Sequence, residues 1–301
     1  MTVEAPGRRP VDFTAPVEGR SLDVRWIHGS VSAKHDTDPE IQVHHYDAHT
    51  VILRQNMAVN YEAPFLFLLF GSDRAVLLDT GATAEPAYFP LRRVVDELVA
   101  AWCARHDRTA GPGREPYELV VLHTHGHGDH VAGDPQFADR PDTVLVDAGL
   151  ESVTRYLGLG PDPDRPVPLD LGGRVLECLA SPGHHPAAVT YYDPYTGFLL
   201  TGDTVYPGRL YIQDWDAYTA TVDRLIDFAR TRPVSHLLGC HVEMTDEPGV
   251  DYPIRTVHQP SELPLQLPVE RLLDIRKALT EVAGRQGRFP FADFVLCHGT
   301  S

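Results

Sequence analysis

Short apolar runs alternate along this chain with longer stretches whose apolar positions recur every three or four residues. Thr50–Arg54, Phe65–Phe70 and Ala75–Asp79 have the length and content of strands. A helix follows over Pro90–Arg105, where Leu91, Val94, Val95, Leu98, Val99 and Trp102 form one stripe. Thr109–Pro116 reads as a loop and Leu119–Leu122 as a buried strand. Val144–Val146, Arg174–Leu179, Ala188–Tyr192, Phe198–Thr201 and Val234–Leu238 read as further strands. Asp216 is positioned to cap a helix running to Arg230. Val222, Leu225, Ile226 and Ala229 would be its buried face, and Pro233 follows its end. Glu243–Pro268, with five prolines, is loop-like. A last helix over Val269–Ala283 carries Leu272, Ile275, Leu279 and Val282 on one face and stops at Gly284. This intermixing predicts an α/β protein with helices covering sheet faces.

The 301 residues suffice for a buried core. Residues 1–20, rich in Pro, Arg and Gly, are expected to be a flexible segment, and residues 21–301 a single domain with a C-terminal extension. No apolar run approaches the roughly 20 residues of a membrane helix, and MTVEAPGRRPVDF lacks the apolar centre of a signal peptide. A cytoplasmic protein without a membrane partner is the expectation. The net charge of −16 disfavours a nucleic-acid partner, because phosphate backbones are bound through Lys and Arg. The four cysteines form no CxxC pair, so free thiols are expected. The oligomeric state is not readable.

The chemistry is concentrated in HTHGHGDH, residues 123–130, directly after a predicted strand. His125, His127, Asp129 and His130 are four donors too closely spaced for one tetrahedral ion, but they can be divided between two adjacent ions. Gly126 and Gly128 are expected to let the backbone turn sharply so that the side chains converge.

This segment resembles the metal-binding signature of the metallo-β-lactamase superfamily, and four others agree with it in order. LLDTGA (77–82) is similar to the motif that places an aspartate, here Asp79, behind the metal ligands at a strand end. SPGHHPAAV (181–189) is similar to the loop that supplies a further histidine, His184. LLTGDTV (199–205) and LLGCH (237–241) are similar to the segments that supply a bridging aspartate, Asp203, and a last histidine, His241. The resemblance implies an αββα sandwich with metals at one edge of its two sheets. One ion would be held by His125, His127 and His184, the other by Asp129, His130 and His241, and Asp203 would bridge them. Two Zn²⁺ per chain are expected, with iron or manganese as substitutes. Asp129 and Asp203 are the expected catalytic residues.

Departures from particular branches narrow the reading. The β-lactamases of this fold lack an aspartate at the bridging position, and the flavodiiron proteins carry glutamate where His127 stands. What remains resembles the glyoxalase II-like and lactonase-like hydrolases. The expected reaction is attack of a metal-bound hydroxide on a small-molecule thioester, ester or lactone. The alternatives are a mononuclear-iron persulfide dioxygenase-like enzyme and a nuclease or phosphodiesterase of the same fold. His185, Tyr206, Arg209 and Tyr211, close to the motifs, are candidate substrate contacts. His123 and Cys240 are expected beside the site, and His44, His45, His49 and His258 as plain polar residues.

Overall fold

The computed structural model describes residues 11–15, 19–108 and 116–299. Residues 109–115 of the loop expected at Thr109–Pro116, and residues 1–10 and 16–18 of the expected flexible segment, lie outside these. The remainder of that segment is tied down where it is described. Val11 N donates to Ser72 Oγ at 3.0 Å, Arg20 pairs with Asp47, and the Phe13 ring meets His49 and Tyr195 edge-on.

Six strands form a first sheet in chain order: β1 (Ile41–Asp47), β2 (Thr50–Gln55), β3 (Phe65–Phe70), β4 (Arg74–Leu78), β5 (Glu118–Leu122) and β6 (Thr143–Leu145). The first four are joined antiparallel, and β4, β5 and β6 run parallel. Helix α1 (Leu91–Arg105) links β4 to β5. Two short helices follow, α2 (Gly128–Val131) and α3 (Leu150–Leu157).

The second half repeats the scheme. Strands β7 (Val167–Asp170), β8 (Val175–Ala180), β9 (Val189–Asp193) and β10 (Phe198–Gly202) form an antiparallel run. After β11 (Arg209–Ile212) and helix α4 (Trp215–Arg230), β12 (His236–Gly239) returns parallel to β10, and β13 (Gln266–Leu267) closes that edge. Helix α5 (Arg271–Val282) precedes β14 (Gly287–Pro290) and β15 (Val295–His298), which join β11 in a third, small sheet.

Strand periodicity accounts for the layering. Alternate residues point to opposite faces, so Ile52, Phe67, Leu69, Val76, Leu78 and Val120 meet Cys178, Val189, Tyr191, Phe198 and Leu200 between the two large sheets. The intervening residues Leu53, Leu66, Leu68 and Leu77 pack on Leu91, Val95, Val99 and Trp102 of α1. On the other side Tyr192, Leu199 and Leu237 pack on α4 and α5 through Val222, Leu225, Ile275 and Leu279. The order of layers is helix, sheet, sheet, helix, the αββα sandwich.

Three expectations need correction. The cap of α4 is Asp214, whose side chain accepts from Ala217 N; Asp216 lies in the first turn, where its charge favours the helix dipole. Glu243–Pro268 is not wholly loop, since β13 lies inside it. Neither Gly126 nor Gly128 has a positive φ, so the turn in the signature does not rest on a left-handed glycine. No helix of the described residues is long and apolar enough to cross a membrane.

Candidate metal centre

The candidate donors come from four places that β-strand ends bring together. β5 delivers His125 and His127, with Asp129 and His130 on α2. The turn after β8 carries His184, the end of β10 carries Asp203 and the end of β12 carries His241. Glycine is required at two of these turns. Gly183 has φ 134°, and a Cβ there would lie 2.3 Å from Tyr218 Cα. Gly202 has φ 53°, and a Cβ there would lie 2.6 Å from Thr124 Cβ.

Two groups of donors face each other. In the first, His125 Nε2 and His127 Nδ1 are 2.9 Å apart, and His184 Nε2 lies 3.2 and 3.0 Å from them. In the second, His130 Nε2 and His241 Nε2 are 3.4 Å apart, with Asp129 Oδ2 at 3.5 and 3.3 Å. Asp203 divides its carboxylate between them. Its Oδ1 lies 3.5 and 3.6 Å from the His130 and His241 nitrogens, and its Oδ2 lies 3.9 and 3.8 Å from those of His125 and His184.

Partners on the far side hold these rings. His184 Nδ1 is 2.8 Å from Tyr211 O, His241 Nδ1 is 2.9 Å from Glu62 O, and His130 Nδ1 is 3.0 Å from Asp79 Oδ2. Protonation at Nδ1 leaves the Nε2 lone pair facing the centre. Asp79, at φ 68°, also accepts from Thr124 N and Oγ1 and from Cys240 Sγ, and so fixes the start of the signature loop.

The donor set fits divalent ions. Three imidazole nitrogens near 3 Å from one another match the edges of a tetrahedron around zinc, about 3.3 Å for Zn–N bonds of about 2.0 Å. Asp203 Oδ1 is buried and has no hydrogen-bond donor. Burial, reinforced by neighbouring histidines, holds His125 well below the usual histidine range and His127 down at about 4, so these two rings are neutral and ready to ligate. The second group is different. Burial opposes charge there, yet the Asp203 and Asp129 carboxylates push His241 up to about 10, and Asp203 and Asp79 raise His130. Burial would raise Asp129, but its hydrogen bond to His241 brings it down to about 2. Buried carboxylates that draw protons onto histidines mark a place that calls for cations.

The donors open on a cavity of 530 Å³. Tyr206 and Tyr211 line it, whereas His185 and Arg209 do not. The His185 ring stands beside His127, with its Nδ1 accepting from Ala187 N. Arg209 is buried behind the wall, paired with Glu243 and with Asp251. His123 is buried beneath the loop beside Asp134. Glu62, Gln213, Glu243, Gln286 and His298 also line the cavity and escaped the sequence reading. Glu243 had a signal, since it stands two residues after His241; the others come from turns and late strands with no local pattern.

The sequence model described as the metallo-beta-lactamase superfamily matches residues 63–241. The hydroxyacylglutathione hydrolase of Nostoc punctiforme is 28% identical over 151 residues, covering 48% of this chain and 51% of the relative. Acyl-coenzyme A thioesterase MBLAC2 of Bos taurus is 27% identical over 212 residues, covering 58% and 72%. The chain thus spans about half the length of the first of these relatives. Among solved structures, the DIM-1 metallo-beta-lactamase exposed to ceftazidime is similar in fold, with a TM-score of 0.50 at 15% identity, over 82% of this chain and 100% of that one.

Proposed function

The chain belongs to the metallo-beta-lactamase superfamily, and on that premise we propose that it is a metal-dependent hydrolase of a small acyl substrate, a thioester, ester or lactone. The observation that carries this reading is the divided Asp203 carboxylate, one oxygen toward each donor group. His125, His127 and His184 would hold one divalent ion and Asp129, His130 and His241 the other, with zinc as the first candidate. Bound there, such ions supply Lewis acidity and water whose pKa is lowered to about 7.

The protein's own groups supply position. Asp129, beside His130 and His241, would be held by an ion and so would not serve as a proton donor. Tyr206 donates its hydroxyl proton to Arg209 O, so its role is to set the wall beside His241. Tyr211 accepts from Arg209 Nε at 3.2 Å and keeps its own proton, which burial makes harder to lose. That proton is free to hydrogen-bond a substrate oxygen in the cavity. A leaving group that departs with little protonation, as a thiol does, needs no strong general acid from this wall. Two relatives bear the names of thioester hydrolases, which supports the same class. Residues 21–301 would act as one domain, with α5, β14 and β15 as an extension that walls the cavity.

The test is a panel at matched concentration, containing acyl thioesters, aryl esters, lactones, penicillins and a phosphodiester, with metal content measured on the same protein. We expect two metals per chain, acyl hydrolysis leading, and β-lactams poor. One iron per chain, or a phosphodiester outpacing every acyl substrate, would overturn the reading.

A further inference from the structure

Four carboxylates line the cavity: Glu62, Asp129, Asp203 and Glu243. Among the described lining residues none is lysine or arginine. Asp129 and Asp203 belong to the donor set and would face the ions rather than the leaving arm. Glu243 is offset by Arg209. Glu62 is the one left over, since no described guanidinium or ammonium forms an ion pair with it.

The guanidinium groups nearby do not line the cavity. Arg209 is buried between Glu243 and Asp251, and Arg288 is paired with that same Asp251. The Tyr61 hydroxyl is shared between the Glu62 carboxylate and Arg255, which stands outside the lining. Arg285 donates to Val282 O at 3.0 Å and stands over the Phe289 ring. A carrier bearing carboxylates or phosphates several bonds from its acyl carbon would therefore meet Glu62 and amides on this wall, with no cation released to it. The −16 charge of the chain adds a long-range field of the same sign.

We infer that the cavity selects acyl substrates whose leaving arm is uncharged or cationic, and that Glu62 is the residue that turns polyanionic carriers away. The inference rests on the acyl-hydrolase reading and narrows it. It also separates this chain from relatives whose names specify glutathione and coenzyme A conjugates, both of which are anionic. Glu62 is suited to the task because its link to the donor set is made by the backbone. Its carbonyl holds His241 Nδ1 at 2.9 Å, while its carboxylate meets the Tyr61 hydroxyl at the cavity wall.

The experiment compares S-hexylglutathione with its diamide, two thioethers that carry no ester or thioester bond and that differ only in whether the two carboxyl groups are charged or amidated. Binding to the zinc-loaded protein is read by calorimetry. The diamide should bind roughly tenfold more tightly, and the gap should widen at low ionic strength, where repulsion is less screened. Glu62→Gln, which keeps shape and backbone, should bring the two ligands to within about threefold; its zinc content and circular dichroism check that the centre is intact. Equal or tighter binding of the free dicarboxylate, or binding of neither ligand, would overturn the selectivity. An unchanged ratio in Glu62→Gln would overturn the role of Glu62. Because the comparison reads binding and the substrate panel reads turnover, each idea can fail without the other.

Discussion

Asp79 Oδ2 accepts the Nδ1 proton of His130 at 3.0 Å, and this one contact turns the other ring nitrogen of His130 toward Asp129, Asp203 and His241. The same carboxylate takes two hydrogen bonds from Thr124, the residue before His125. It therefore orients both halves of the donor set without belonging to either.

Asp79→Asn should weaken metal binding by about 10- to 100-fold while the fold survives. Asparagine tolerates the left-handed backbone at this position, but its amide cannot accept from all the same donors at once. Competition with a chromogenic chelator would measure the loss, and a thermal melt of the metal-free protein would show whether the fold is retained. Wild-type zinc affinity in the variant would remove Asp79 from the support of the site.

For Asp203 the expected change is larger. Asp203→Asn keeps the shape but leaves only one oxygen to face two donor groups. Turnover should fall by roughly two orders of magnitude or more, beyond what outer partners usually carry, and metal content should drop below two per chain. Full turnover with both metals retained would mean that Asp203 does not bridge them.

The donors were legible because they are local. HTHGHGDH places four of them within six residues, and the other three stand at the ends of strands whose apolar runs are plain. Phe65–Phe70 was readable to the residue because both faces are buried, giving an unbroken apolar run. Ile41–Asp47 was not, because an edge strand with alternating exposure reads Ile-Gln-Val-His-His-Tyr-Asp, in which two histidines mask the period. Arg209–Ile212 and Val295–His298 are too short to carry a period, yet they pair with each other across more than eighty residues to build the far wall of the cavity. The substrate candidates suffered for the same reason. Arg209 follows the bridging aspartate closely, and only its partner Glu243 shows that it turns inward.

His49 provides a stability test away from the metals. It is buried against Phe13, Trp102, His106 and Tyr195, and its Nδ1 accepts from Trp102 Nε1 at 3.0 Å. Burial, followed by the neighbouring His106, lowers its pKa to about 4. An unfolded histidine titrates near 6.5. Between those values the unfolded chain holds a proton that the folded chain does not, so stability falls as pH drops from about 6.5 to about 4. In His49→Gln this contribution is missing. The stability advantage of wild type over the variant should therefore shrink by about 3 kcal/mol between pH 7 and pH 4. Urea titrations at the two pH values measure this, and acid effects on the metal centre cancel in the difference. A gap that stays constant would show that His49 accepts its proton equally well in both states.

Arg209 and Glu243 allow the cavity wall to be separated from the chemistry it supports. The guanidinium donates to Glu243 and to Asp251, and the Arg209 backbone N–H donates to Glu243 Oε2 at 2.7 Å. Both side chains are nearly excluded from solvent, at 9% and 12% exposed. A buried pair contributes little net stability when whole, but removing one member leaves an uncompensated charge that costs about 3–5 kcal/mol. Arg209→Met should show that loss in denaturant titration. Arg209→Met combined with Glu243→Leu should recover part of it, because no unpaired carboxylate is left at Glu243, although Asp251 still loses a partner. If Arg209 were instead a substrate contact, the single variant would raise KM with little change in stability, and the double variant would restore nothing. The sign of the coupling between the two substitutions decides between a wall and a ligand.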